Sequence, residues 1–346
     1  MTLQEQFGAL LMVGFAGAEM NADLAAHICN LRPAGLIFFK RNIIAPDQLA
    51  RLTRNVQTLA LREFGRPLLL AVDQEGGTVA RMPPPFTQLP DAAILGGSGS
   101  ESVSRYSKLT AREMLLVGLN MNLAPVLDVH SLASAGVMQQ RSFGSDPHLV
   151  AQCGVAAITS TQDEQIVATA KHFPGLGRAQ EDPHHDLPVI SASREDLYHH
   201  DLIPFQVAIG AKVACIMTSH TLYPQLDPEN PGTFSRTIIS GLLRHELGFD
   251  GVVITDDLEM GAVARRYSLE SAAIAALQAG ADLLLACNNF DEMHRALKAI
   301  EFGVQRGLLD PQSLGHSLAR VERLRTSYLQ PLRLANSAAV VAHFAA

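Results

Sequence analysis

The chain alternates short apolar runs with longer amphipathic stretches of helical period. This alternation is typical of an α/β fold, in which parallel strands are buried on both faces and are joined by helices. Eight runs are predicted to be strands: Ala9–Phe15, Gly35–Phe39, Leu68–Asp73, Asn120–Leu127, Ile166–Lys171, Ala214–Thr218, Val252–Thr255 and Asp282–Ala286. Helices are predicted at Pro46–Leu61, Ser102–Leu116, Leu269–Gln278, Asp291–Gln305 and Pro311–Tyr328.

Residues at the ends of two of these helices support the prediction. Pro46 suits a first helical turn, because the N–H that proline lacks would have no partner there in any case. Asp291 is predicted to cap the helix that it opens, and Gly307 is predicted to end the same helix.

The number of strand–helix units predicts a (β/α)8 TIM-type barrel, an α/β fold in which eight units close on themselves. A doubly wound sheet is the competing architecture. The barrel is favoured because eight units are present and no glycine-rich phosphate-binding turn follows a strand. We expect residues 1–346 to form this single domain, with no second domain.

Composition narrows the class of protein. A hydrophobic content of 47% can supply a large core, and a net charge of −7 argues against nucleic-acid or membrane partners, which need a basic surface. The amino terminus lacks the pattern of a signal peptide, and no apolar run reaches the roughly 20 residues that span a bilayer. The four cysteines are widely spaced, which fits buried thiols. We expect a cytoplasmic protein, a monomer, that needs no metal or cofactor.

Polar residues gather where the predicted strands end. In (β/α)8 barrels the carboxyl ends of the strands carry the active site, so these residues are predicted to share one site. The strand-end groups are Asp73-Gln74-Glu75, Asp128 with His130, Lys171-His172, Ser219-His220 and Asp256-Asp257.

Asp256 is the predicted nucleophile. It follows a strand that is apolar throughout, and a carboxylate fixed at the end of a rigid strand suits attack on a substrate. A structural interpretation is that one of the two adjacent acids caps the next helix. Both interpretations can hold, and we assign Asp256 to the chemistry and Asp257 to the cap.

The loop after the fifth strand holds a candidate proton donor. His184 lies two residues after Asp182, and a carboxylate near an imidazole fixes its tautomer and stabilises its protonated form. Pro183 biases Asp182 toward an extended conformation, which could bring the two flanking side chains together. His185 is the rival donor, and a solvated surface loop is the alternative interpretation.

Five further residues are candidates for binding a ligand. A lysine at the end of a buried strand is rarely a packing residue, so Lys171 and His172 are predicted to hold ligand hydroxyls. Arg81 and Arg141 lie just beyond strands. Asp73 precedes Gly76-Gly77, where the backbone could approach a ligand closely.

Five segments in order resemble one known family. They are VDQEGG at 72–77, LAPVLDV at 123–129, RSFG at 141–144, KHFPG at 171–175 and TDDLEM at 255–260. Together they are similar to glycoside hydrolase family 3, in its bacterial β-N-acetylhexosaminidase branch, over about residues 8 to 330.

The resemblance implies a (β/α)8 barrel and a role for each matching residue. The family's nucleophile corresponds to Asp256, and its unusual acid/base histidine and partner aspartate correspond to His184 and Asp182. Its ligand-binding residues match Asp73, Arg81, Arg141, Lys171 and His172. The implied substrate is a terminal β-linked N-acetylglucosamine, on muropeptide fragments during peptidoglycan recycling in Gram-negative relatives.

The sequence departs from the family pattern at three positions, Thr78, Leu176 and Pro183, none of which is an assigned catalytic group. The implied reaction is retaining hydrolysis through a glycosyl-Asp256 intermediate. Three alternatives remain: a phosphorylase that uses phosphate in place of water, a metal-dependent barrel hydrolase, and a non-catalytic sugar-binding protein.

Overall fold

Eight parallel strands close into a barrel in which each strand pairs with its neighbours in the sequence. The structure is a computed structural model that describes residues 3–130, 138–183, 185–288 and 290–344. The first strand pairs with the second on one side and with the eighth on the other, which completes the ring. In order, the strands are Leu11–Gly14, Gly35–Phe38, Leu69–Val72, Met121–Asn122, Val167–Phe173, Cys215–Thr218, Val252–Asp257 and Leu283–Ala286. The predicted TIM-type barrel is therefore confirmed, and the doubly wound sheet is excluded.

Residues along each strand alternate between two apolar cores. In the third strand, Leu69 and Ala71 face the inside of the barrel, whereas Leu70 and Val72 face the surrounding helices. Because both faces are buried, the strands are apolar throughout, which is why the sequence shows them as uninterrupted runs. The inner core is filled by side chains from all eight strands and is not a pore.

Helices surround the barrel, and most have the bounds that the apolar period predicts. Phe290–Gln305 is an exception, because it begins one residue before Asp291, so this aspartate lies in the first turn and the prediction that it caps the helix is wrong. The α-helices are Leu3–Gly8, Ala22–Leu31, Pro46–Phe64, Ala92–Gly97, Ser100–Leu116, Pro147–Asp163, Arg194–Asp196, Ile203–Gly210, Gly261–Ala264, Leu269–Ala279, Phe290–Gln305, Pro311–Leu329 and Ser337–Phe344. The segments Leu197–Asp201 and Thr237–Glu246 are π-helical, and Lys40–Asn42 and Gly232–Phe234 are 3₁₀ turns.

The helix Pro311–Leu329 covers the amino ends of the strands. Its residues Val321 and Leu324 pack into the inner core of the barrel. Asp282, fully buried just before the eighth strand, accepts hydrogen bonds from Ser317 Oγ on this helix and from the backbone N–H of Val253, at 2.7 and 2.9 Å. These contacts close the barrel at the end opposite to the predicted site.

The carboxyl end carries a short hairpin that was not predicted. Gln74–Gly76 pairs antiparallel with Val79–Ala80 directly after the third strand. Gly76 and Gly77 both have positive φ, 115° and 52°, which a side chain would strain. The hairpin turns the chain back over the mouth of the barrel and places Arg81 beside it.

The cysteines are free thiols, as expected. Cys153, Cys215 and Cys287 are buried and Cys29 is half-buried. Of the helices in the described parts of the chain, none is long and apolar enough to cross a membrane.

Candidate active site

The alternation of the strands places three predicted site residues on the inner face of the barrel. Side chains two residues apart on a strand point the same way, so Ile254, which faces inward, is followed by an inward-facing Asp256. In the same way, Ala71 and Thr169 are each followed two residues later by an inward-facing residue, which is Asp73 just after the third strand and Lys171 on the fifth. The strands themselves therefore bring these charged groups to one place at the carboxyl end.

A cavity of about 210 Å³ opens at this end of the barrel. That size is somewhat below the usual range of small-molecule sites, roughly 300–1,000 Å³. Its polar wall consists of Asp73, Arg81, Asp256, Asp257 and Asn288. The remaining wall is apolar or sulfur-containing and is formed by Ile37, Phe39, Leu123, Met217, Met260, Leu285 and Cys287.

A larger groove, of about 590 Å³, lies on the helical surface between Thr237 and Leu314. None of the predicted site residues lines it. We therefore place the site at the smaller cavity, where the acids and bases converge.

Lys171 lies at the centre of a charged network. Its Nζ is 2.8 Å from Asp73 Oδ1 and 2.6 Å from Glu75 Oε1, and its side chain is only 3% exposed. Arg141 donates from Nε and Nη2 to the two carboxylate oxygens of Glu75, each at 2.8 Å. Arg81 Nη2 lies 3.8 Å from Asp73 Oδ2 and extends the network to the cavity wall.

These contacts set the charges of the buried groups. Burial alone would raise the pKa of Glu75, but the charges of Lys171 and Arg141 hold it well below its ordinary value. Burial would lower the pKa of Lys171, and Asp73 and Glu75 reverse that effect and raise it. Glu75 and Lys171 therefore stay ionised at neutral pH, and the network presents fixed charges and hydrogen-bonding groups to a ligand.

His172 is buried against Asp128, a residue to which the sequence assigned no role. The ring atom Nδ1 is 2.7 Å from Asp128 Oδ2, and the backbone N–H of His172 donates to Oδ1 at 3.2 Å. Asp128 itself is fully buried.

The two adjacent acids of the seventh strand differ in their electrostatics. Burial would raise the pKa of Asp256, but the nearby His172 and His220 outweigh it and hold the pKa below the ordinary value. Burial raises the pKa of Asp257 to about 7, and the neighbouring Glu259 and Asp256 add to the increase. At neutral pH Asp256 is therefore a carboxylate, as a nucleophile must be.

The prediction that Asp257 caps the next helix is wrong, because that helix begins at Gly261 and Met260 is at its cap position. Asp257 has a different structural role. Its Oδ1 accepts a hydrogen bond from the backbone N–H of Glu259 at 3.0 Å and so caps the turn after the strand. His220 Nε2 lies 2.9 Å from the carbonyl oxygen of Asp257 and supports the end of the strand from the neighbouring segment.

The loop with the predicted proton donor is docked against the segment that follows the seventh strand. The carbonyl oxygen of Pro183 accepts a hydrogen bond from Ala262 N at 3.1 Å, and Asp186 pairs with Arg266 at 3.3 Å. Asp182 is half-buried in this loop. His184 lies outside the described residues, so its predicted contact with Asp182 stays a prediction.

Of the eight predicted site residues, six converge at the carboxyl end of the barrel. The structure adds three neighbours whose roles the sequence did not assign, Glu75, Asp128 and His220. All three lie at strand ends, which was the signal available. Among the described residues, no three His, Cys, Asp or Glu side chains are grouped as metal ligands would be. The six that converge are Asp73, Arg81, Arg141, Lys171, His172 and Asp256.

This arrangement can perform nucleophilic substitution at a polar, hydroxylated ligand. It holds an ionised carboxylate on a rigid strand, a fixed set of charged hydrogen-bonding groups beside it, and an apolar wall opposite.

The family model described as "Glycosyl hydrolase family 3 N terminal domain" matches residues 2–324. A β-hexosaminidase from Thiobacillus denitrificans is 37% identical over 286 residues, which cover 81% of this chain and 78% of the relative. A β-hexosaminidase from Pseudomonas aeruginosa is 37% identical over 293 residues, with coverage of 84% and 86%.

Solved structures are similar over nearly the whole chain. A family 3 β-N-acetylglucosaminidase from Paenibacillus superposes with a TM-score of 0.91 at 37% identity, covering 95% of this chain. This chain spans only 63% of that longer protein. A β-N-acetylhexosaminidase from Beutenbergia cavernae gives a TM-score of 0.87 at 30% identity, with 94% of this chain and 98% of that chain covered.

Proposed function

The chain belongs to glycosyl hydrolase family 3 and is a glycoside hydrolase, and from that premise we propose that it is a retaining β-N-acetylhexosaminidase. The observation that carries the proposal is the ionised Asp256 on the cavity wall beside the Lys171 network. The names of the relatives support the sugar specificity.

In the first step, a carboxylate oxygen of Asp256 attacks the anomeric carbon of the terminal sugar. The bond from that carbon to the leaving oxygen breaks, and His184 gives its proton to this oxygen. The product is a glycosyl ester of Asp256 and a free alcohol. Asp182 stabilises the protonated form of His184 before the transfer.

In the second step, the now neutral His184 takes a proton from water as the water oxygen attacks the anomeric carbon. The ester bond breaks, Asp256 regains its negative charge, and the sugar leaves with its original β configuration. One imidazole can serve both steps near neutral pH, because its unperturbed pKa is about 6.5.

The charged network binds the sugar hydroxyls. Asp73 and Arg81 line the cavity directly, while Lys171 and Arg141 are held beside it by Glu75. His172 completes the set of binding residues. Charge-assisted hydrogen bonds of this kind are stronger than neutral ones, so they can orient the sugar ring for attack.

The proposed substrate is a terminal β-linked N-acetylglucosamine on cell-wall muropeptide fragments, cleaved in the cytoplasm during peptidoglycan recycling. We propose that residues 1–346 act as one barrel domain and as a monomer. No nucleic acid, membrane or cofactor takes part in the proposed reaction.

A panel of chromogenic β-glycosides tests the proposal. We expect turnover of the N-acetyl-β-glucosaminide and its abolition by Asp256→Ala. Substantial residual turnover in that variant would show that Asp256 is not the nucleophile. Runs with and without phosphate identify the acceptor, because a phosphorylase would release the sugar 1-phosphate. Binding of the sugar without turnover would indicate a non-catalytic homologue.

His184→Ala tests the proton donor, with His185→Ala as the matched control on the exposed neighbour. A poor leaving group needs the proton more than 4-nitrophenolate does. We therefore expect His184→Ala to slow cleavage of a disaccharide by roughly 10²–10⁴ and cleavage of the nitrophenyl glycoside by less. Equal losses on both substrates, or an equal effect of His185→Ala, would contradict the assignment.

A further inference from the structure

Asp128 divides its two carboxylate oxygens between two tasks. Oδ1 accepts hydrogen bonds from the backbone N–H groups of His172 and Leu176, at 3.2 and 2.6 Å. Oδ2 lies 2.7 Å from His172 Nδ1. One oxygen therefore fixes the turn that follows the fifth strand, and the other faces the imidazole ring.

The contact with Oδ2 selects one form of the imidazole. A carboxylate accepts hydrogen bonds and donates none, so Nδ1 of His172 must carry the proton. Nε2 is then the ring nitrogen that remains for a ligand or for the neighbouring acid.

His172 is one of several groups that act on the nucleophile. Burial opposes the ionisation of Asp256 by raising its pKa, and the charge of His172 is first among the influences that lower it. His220, from the segment after the sixth strand, and Lys171 also lower the pKa of Asp256, and the titratable side chains of Asp257 and Cys287 interact with it as well.

Asp128 has charged and titratable neighbours of its own. Its negative charge helps to raise the pKa of Arg141 and, after burial, that of Tyr223. A change at Asp128 that removes this charge therefore acts on these groups as well as on His172.

We propose that Asp128 is a positioning residue of the glycosidase reaction, which holds the His172 ring with Nδ1 protonated and leaves Nε2 for the sugar and for Asp256. This inference rests on the proposed function for its catalytic consequence, but its structural part stands on the two contacts alone.

The same geometry accounts for one departure from the family pattern. The turn is anchored through the backbone N–H of Leu176, not through its side chain, which is buried in the apolar core. A leucine at this position therefore leaves the anchor of His172 intact.

Asp128→Asn tests the proposal, because asparagine has the same shape. Its oxygen can occupy the position of Oδ1 and keep both backbone hydrogen bonds, which places its NH₂ group against His172 Nδ1. An amide donor there forces Nδ1 to accept, so Nε2 alone carries a proton and the ring is neutral. The corresponding exchange in a serine protease leaves the geometry intact and lowers kcat by about 10⁴ through the wrong tautomer.

The first readout does not need activity. In ¹⁵N–¹H correlation spectra of protein with labelled histidine, with His172 assigned by comparison with His172→Gln, we expect a protonated Nδ1 in the wild type and an unprotonated Nδ1 in Asp128→Asn. A wild-type Nδ1 without a proton overturns the proposal, even if the variant fails to fold. A folded Asp128→Asn variant in which His172 Nδ1 is still protonated also overturns the proposal.

The second readout is kinetic. We expect Asp128→Asn to lower kcat/KM by at least about tenfold and to move the acid limb of its pH profile to higher pH, because Asp256 loses part of its cationic support. Asp282→Asn makes the same change at a buried aspartate at the other end of the barrel and should move neither. If Asp128→Asn changes the protonation of the His172 ring but not the kinetics, the role of Asp128 in the reaction is overturned. A wild type without turnover would overturn the proposed function instead.

Discussion

Arg141 and Glu75 form a two-point ion pair, with Nε and Nη2 of the arginine each 2.8 Å from a different oxygen of the carboxylate. The Glu75 side chain is only 3% exposed, and its Oε1 also receives Lys171 Nζ at 2.6 Å. Two predicted sugar-binding cations are thus held in place by one acid that does not line the cavity. Their orientation depends on the charge of Glu75.

Glu75→Gln should destabilise the fold and weaken substrate binding. Removing one partner of a buried ion pair costs roughly 3–5 kcal/mol, because it leaves the opposite charge buried without compensation. We expect a loss of that size in the free energy of unfolding measured with denaturant, and a larger effect on KM than on kcat.

Glu63→Gln is the matched control for this change. Glu63 pairs with Arg62 at 2.7 Å on the surface, where both side chains are exposed. Exposed pairs contribute at most about 1 kcal/mol, so this variant should keep nearly the wild-type stability. Equal losses in the two variants would contradict the role of Glu75 in holding Lys171 and Arg141.

Asp257 should make the stability of the protein depend on pH. In the unfolded chain this carboxyl loses its proton near 3.8, whereas burial raises the folded-state pKa to about 7. The folded state therefore holds the proton more tightly, and the contribution of Asp257 is fully present below the unfolded pKa and is lost as the pH rises toward 7.

Asp257→Asn removes this titration but keeps an oxygen that can cap Glu259 N. We expect the wild type to lose more stability than the variant between pH 5 and pH 8, as measured by thermal unfolding. Parallel curves for the two proteins over this range would show that Asp257 does not hold its proton in the folded state.

Asp282→Asn should affect stability and leave catalysis intact. Asp282 is fully buried, accepts hydrogen bonds from Val253 N and Ser317 Oγ, and pairs with Arg244. Weakening this pair leaves the charge of Arg244 poorly compensated, at a cost of about 3 kcal/mol. Denaturant unfolding measures the loss, and an unchanged KM for the chromogenic substrate shows that the carboxyl end is undisturbed.

Most barrel strands could be predicted because each is apolar on both faces. The fourth is the exception, since the sequence predicts Asn120–Leu127 and only Met121–Asn122 has regular pairing. Pro125 lies within the predicted run and cannot donate to a ladder. The chain continues beside the fifth strand through an isolated bridge at Val126. The predicted location of the fourth strand was therefore correct, but the prediction that the whole run pairs regularly was wrong.

The site could be predicted as a location more readily than as a set of contacts. Asp73, Lys171 and Asp256 each lie at the carboxyl end of a strand and point into the barrel, so the sequence places them together once the strands are known. The pairing of Glu75 with Arg141 joins residues 66 positions apart, in a hairpin and a loop that no periodicity describes. Such contacts depend on tertiary geometry, and the same holds for Asp128 and His172.

The closed amino end of the barrel makes entry and exit share one route. With the helix Pro311–Leu329 packed over the strand ends, a ligand that reaches Asp256 must come through the carboxyl end, and the released sugar must leave the same way. The proposed product, N-acetylglucosamine, should therefore compete with the next substrate, so added sugar should raise the apparent KM in initial-rate measurements while kcat stays constant.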